Sequence, residues 1–228
     1  MTVQIKPGDT VVFIGDSITD CGRDRADAGS LGDGFVALAA GMFAAAHPAA
    51  AVRFVNRGIS GNCAVDLRGR WDRDCLDLEP DVVSILVGIN EVSRRFDRDD
   101  PTPNAVFEEH CRHILERTAN RGAQLILMEP FLLPVDEEQR RWRGEFDEKL
   151  AVVRALAEKF DLTLIATHEL MTREAAAAGG PGVLAGDGIH PSPAGHAVLA
   201  KAWLAAVELS AGPGAGSGAG SGDDREDV

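Results

Sequence analysis

Four short polar motifs in this chain carry the residue types that acyl transfer needs. Gly15-Asp16-Ser17-Ile18-Thr19-Asp20 sets a serine two residues beyond a glycine that permits a tight turn. A serine there can offer its hydroxyl as a nucleophile while its own amide N–H points at a developing oxyanion. Asp16 and Ser17 equally suit a turn or a helix cap. Asn56-Arg57-Gly58-Ile59-Ser60-Gly61-Asn62 offers the unshielded amide of Gly61 as an oxyanion donor, with a two-glycine loop as the simpler reading. Val87-Gly88-Ile89-Asn90-Glu91 adds the side-chain NH₂ of Asn90, on a strand end, as a third donor or as a helix cap. Asp187-Gly188-Ile189-His190-Pro191-Ser192 places an acid three residues before a histidine. In a turn the two can hydrogen-bond and fix the imidazole, although a helix-start turn also explains the motif. Singly each motif is weak. Together they supply a nucleophile (Ser17), an oxyanion hole (Ser17, Gly61, Asn90), a base (His190) and its orienting acid (Asp187).

Such groups need rigid strand ends, because ligands of parallel α/β sheets bind beyond the carboxyl ends of the strands. Apolar runs at Thr10–Ile14, Val52–Val55, Val82–Val87, Leu125–Met128 and Leu162–Ala166 predict five strands. The first three motifs directly follow the first three runs. Helix-length segments fall at about 34–46, 65–78, 103–120 and 138–159. Ser192 as N-cap with Pro193 at the first helical position starts a last helix, running to about Leu209. The alternation predicts a three-layer α/β/α sandwich with a five-stranded parallel sheet. Met1 to Pro7 reads as a short polar lead-in, and Arg94 to Asp100 as a solvated mixed-charge loop.

With 228 residues the chain fits one catalytic domain, taken as residues 1–210. From 211 to 228 it turns Gly/Ser/Ala-rich and then acidic, which predicts a disordered tail. A net charge of −13 argues against nucleic-acid partners, since neutralising phosphates takes a basic face. No apolar run reaches membrane-spanning length, and nothing at the start resembles a secretion signal. Cys21, Cys63, Cys75 and Cys111 lack paired spacing and read as free thiols, so a cytoplasmic location is expected.

On these motifs the sequence resembles the SGNH (GDSL-type) hydrolases, whose four blocks match Gly15-Asp16-Ser17, Gly61, Asn90 and Asp187-x-x-His190 in order. The wider runs Phe13–Arg23, Asn56–Asn62, Ile85–Asn90 and Ile126–Phe131 are similar to those of cytoplasmic bacterial acetylxylan esterases. The likeness covers about residues 8–209. It implies a flavodoxin-like SGNH fold, Ser17 as nucleophile, His190 as base, Asp187 as its partner, and Ser17, Gly61 and Asn90 as oxyanion hole. It also implies a small-molecule ester substrate, such as an acetylated oligosaccharide, and no cofactor or metal. Lysophospholipase or thioesterase activity is the alternative within the class, and a non-catalytic α/β binding module the alternative outside it. Two residues depart from that subgroup: Glu91 stands for its usual Asp, and Gly186 stands where it tends to carry Trp. A glycine there leaves room for larger acyl or alcohol groups.

The remaining candidates read as structural. His110 and His113 share a helical face without a third metal ligand, and His196 belongs to the last helix. His168 follows the fifth strand and is a candidate for lining the cleft. Trp71 reads as core or interface; Trp142 reads as a pocket residue or a contact in a homo-oligomer.

Overall fold

The computed structural model describes residues 2–210. The first half runs β1 (Val3–Ile5), β2 (Thr10–Gly15), α1 (Ser17–Asp20), α2 (Phe35–Ala46), β3 (Arg53–Gly58), α3 (Ala64–Asp74) and β4 (Val82–Leu86). It continues with α4 (Ile89–Arg98), α5 (Asn104–Ala119), β5 (Gln124–Met128), α6 (Glu137–Arg141) and α7 (Arg143–Lys159). The last part is β6 (Thr163–Ile165), α8 (Thr167–Ala177), α9 (Pro181–Leu184), α10 (Pro193–Ala205) and β7 (Val207–Leu209). Strands β3-β2-β4-β5-β6 form one parallel sheet in that order. The winding thus reverses between β2 and β4, and a doubly wound sheet opens its crevice at the carboxyl end of such a switch point.

The expected sandwich is present, and side-chain alternation along β2 explains it. Val11 and Phe13 enter one apolar cluster with α2, α8 and α10, whereas Val12 and Ile14 enter the other with α3 and α5. Phe13 packs against Phe35 at 5.8 Å and Trp203 at 4.9 Å between ring centroids. Burying rings of this size contributes about 1.5–3 kcal/mol each. That contact ties the strand bearing the serine motif to the helix that follows the histidine motif.

Several expectations are corrected. The polar lead-in contains β1, which pairs with β7, so the last helix stops at Ala205 rather than continuing to Leu209. The stretch read as a solvated loop is helical as far as Arg98, because Ile89 and Val92 face the core at i, i+3 spacing. Helix α8 was not anticipated; its buried face is Thr167, Met171 and Ala175, three positions at i, i+4 spacing. The segment 138–159 breaks at Trp142 into α6 and α7, and 65–78 ends its α-helix at Asp74. The tail from 211 lies outside the described residues. Among the described residues no helix is long and apolar enough to cross a membrane.

Candidate active site

The first three motifs leave adjacent strands. Ser17 follows β2, Gly61 follows β3 and Asn90 lies at the second position of α4, just after β4. Asp187 and His190 enter from the loop between α9 and α10. Ser17 Oγ lies 2.9 Å from His190 Nε2, and His190 Nδ1 lies 2.6 Å from Asp187 Oδ2. A carboxylate only accepts, so the imidazole carries its proton on Nδ1 and leaves Nε2 free to accept from the Ser17 hydroxyl. Asp187 Oδ1 also takes the amides of Ile189 (3.0 Å) and His190 (2.7 Å). Burial pushes the Asp187 carboxyl up, but these donors outweigh it and hold it below the usual carboxylate range.

The loop that bears Gly61 reaches the cleft of Ser17, since Ser60 and Ser17 both line it. Among the described residues no acceptor takes the amide N–H of Ser17 or of Gly61. Gly61 has φ +79°, a left-handed conformation suited to glycine. Asn90 spends one amide proton on the Asn62 carbonyl at 3.0 Å and keeps the other free. Asn90 therefore sits on a helix rather than on the strand end expected for it; Gly88, at φ +134°, turns the chain between the two.

Gly15 is required for a reason other than the expected turn. A Cβ there would collide with the carbonyl oxygen of Leu86 on the neighbouring strand. Gly188 is doubly constrained, by φ +80° and by Gln139 and Leu133, which crowd the position of its missing Cβ. Gln139 Nε2 donates to the Asp187 carbonyl at 2.6 Å, and the Leu133 amide donates to that of Gly188 at 2.9 Å. These bonds anchor the loop that carries the acid and the base.

Other residues support the site; nothing local marks the contacts of Arg70, Arg94 and Glu91, whereas the cap formed by Asp16 was expected. Arg70 donates to the carbonyls of Gly15 (3.1 Å) and Arg57 (2.8 Å) and to Asn62 Oδ1 (2.8 Å). Arg94 donates to the Gly61 carbonyl, so it is not a solvated loop residue. Glu91 Oε1 accepts the Ala64 amide at 2.6 Å. Asp16 caps α1 through the Ile18 amide and is fully buried. Burial, with the Glu91 carboxyl adding to it, pushes Asp16 up to about 7.

The remaining sequence candidates fall elsewhere. His168 packs edge-on against Phe146, and its charged neighbours are Arg143, Asp147, Arg154 and Glu169 rather than the triad residues. It borders a recess of about 590 Å³ between α7 and α8, larger than the one at Ser17 but without these functional groups. His196 Nδ1 accepts the Phe35 amide at 3.0 Å, which is the structural role expected of it. Trp71 is core, donating to Thr118 Oγ1, and Trp142 is buried beneath the Phe96 ring. His110 meets Arg68 at the surface.

A parallel sheet with a serine, a histidine and an aspartate linked by hydrogen bonds at its carboxyl edge is the arrangement of a serine hydrolase. Residues 13–198 match the GDSL-like Lipase/Acylhydrolase family, and the chain belongs to it, as an SGNH-type carboxylic ester hydrolase. It is 38% identical over 210 residues to an acetylxylan esterase of Geobacillus stearothermophilus, covering 89% of this chain and 95% of that one. The crystal structure of that esterase superposes with a TM-score of 0.82 at 37% identity, over 89% of this chain and 95% of the other. An α/β hydrolase enzyme from the metagenome of Lake Arreo, Spain, gives 0.81 at 35% identity, over 89% and 96%. Structures of catalytic mutants of the Geobacillus enzyme replace a serine, an aspartate and a histidine.

Proposed function

We propose that Ser17, His190 and Asp187 form the catalytic triad, with the Ser17 and Gly61 amides and the Asn90 side chain as oxyanion hole. The substrates on this reading are acetyl esters of carbohydrates. The observation that carries it is the unbroken chain Ser17 Oγ–His190 Nε2 (2.9 Å) and His190 Nδ1–Asp187 (2.6 Å). His190 takes the Ser17 proton as Oγ adds to the ester carbonyl, and the three donors hold the resulting oxyanion. The imidazolium returns the proton to the departing alcohol. Water, deprotonated by His190, then attacks the acyl-enzyme and releases acetate and free Ser17.

The similarity to an acetylxylan esterase supports the carbohydrate acetate, as does the polar cleft at Ser17. The activity belongs to residues 1–210. Buried, unpaired Cys63, Cys75 and Cys111 support a reducing, cytoplasmic setting. The test compares acetylated xylo-oligosaccharides with p-nitrophenyl acetate and octanoate, for the wild type and Ser17→Ala. Acetates should be preferred, and Ser17→Ala should lose at least about three orders of magnitude in kcat. Octanoate preference would sink the substrate reading, and a fully active Ser17→Ala the triad.

A further inference from the structure

Next to Ser17 the surface opens into a cleft of about 340 Å³ whose other walls include Asp20, Cys21, Arg23, Arg25 and Ser60. No leucine, isoleucine, valine or aromatic side chain lines it. An acyl chain finds no apolar bed there, whereas a hydroxyl-rich group finds donors and acceptors.

Asp20 organises this wall. It is buried, and its Oδ2 takes both the Ser60 amide, at 2.8 Å, and the Arg25 guanidinium. Arg23 lies 3.6 Å from the same carboxylate and spends itself on the Gly58 carbonyl at 2.7 Å. Arg25 differs, because its side chain is 52% exposed and Asp20 is its one partner among the described residues. Its remaining N–H donors are free, and the Ser60 hydroxyl is exposed across the cleft. A guanidinium held in place has already lost the side-chain freedom that ligand binding would otherwise cost.

We propose that Arg25 and Ser60, both positioned by Asp20, form the alcohol-side subsite and select esters whose alcohol carries a free hydroxyl on the carbon next to the ester, as sugars do. The guanidinium donates to that hydroxyl, and the Ser60 hydroxyl donates to a second oxygen of the sugar. This rests on Ser17 being the nucleophile, because Ser17 lines the same cleft.

The experiment measures kcat/KM on monoacetylated methyl xyloside and on ethyl acetate, which differ only in the alcohol. The wild type should favour the sugar ester, and Arg25→Ala should reduce the sugar-to-ethyl ratio about tenfold or more, mainly through KM, as expected for loss of a charged hydrogen-bond donor. Arg25→Lys, which keeps the charge without the planar fork, should recover part of it. Added methyl xyloside should inhibit the wild type competitively and Arg25→Ala more weakly. An unchanged ratio in both variants, or equal inhibition of all three proteins, overturns the subsite while leaving the esterase reading intact. If the wild type hydrolyses neither acetate, the esterase reading falls first and the subsite falls with it.

Discussion

Arg94 donates through Nη2 to the carbonyl oxygen of Gly61 at 2.6 Å, across a separation of 33 residues. It completes a grip by the start of α4, in which Asn90 holds the Asn62 carbonyl and Glu91 the Ala64 amide. The loop that presents the Gly61 amide is therefore fixed from outside itself, before any charge develops. A preorganised donor owes its effect to not having to move.

Arg94→Ala should accordingly reduce kcat about tenfold, with a smaller change in KM, because Arg94 acts through the orientation of Gly61. Steady-state kinetics on p-nitrophenyl acetate read the two constants apart. Unchanged kcat, or an effect confined to KM, would show that the grip does not orient the donor.

Asn90 acts directly on the developing charge in this account. Asn90→Ala should lower kcat by about 10²–10³ with little change in KM. A rise in KM at constant kcat would instead make Asn90 a residue that binds the ground state.

Asp16 gives the fold a pH signature. Its pKa rises from 3.8 to about 7 on folding, so the folded chain holds more protons than the unfolded one between those values. This group's contribution to stability is therefore full below about pH 4 and declines as pH rises towards 7. A shift of that size corresponds to roughly 4 kcal/mol. Asp16→Asn keeps an oxygen for the Ile18 amide and removes the titration. Relative to wild type, it should gain stability from pH 5 to pH 8, read as urea midpoints. Parallel profiles for the two proteins would refute the assignment.

Gly186 has open space around the position of a Cβ, and its backbone lies outside the left-handed region. Gly186→Trp should fold. If residue 186 faces the acyl site beside Asp187, the indole should narrow preference towards acetate, by about 10–200-fold per excluded methylene. The acetate-to-butyrate ratio of kcat/KM in both proteins decides it, and an unchanged ratio means that residue 186 faces away from the substrate.

The features legible in the sequence were local ones. Five strands could be read because buried parallel strands are continuous apolar runs, as at Thr10–Ile14. The motifs could be read because each sits within a few residues of a strand end or, for Asp187 and His190, within one turn. Helix α4 was hidden because its buried positions, Ile89, Glu91 and Val92, lie among arginines and acids, and a short stripe in a charged run resembles a loop. No local pattern revealed Arg70, Gln139 or Arg94, whose partners at the site lie 8 to 55, 48 and 33 residues away. Gly15 was legible as a glycine, but its reason was not, since the obstruction is the Leu86 carbonyl of another strand. By itself, then, the sequence determined which residues could do the chemistry and which strands would carry three of them. Only the tertiary structure decided that His190 meets Ser17 across 173 residues, by packing α10 on α2 and Trp203 on Phe13. The reason is physical: local pattern specifies an element and its buried face, whereas the position of one element relative to another follows from how those faces pack.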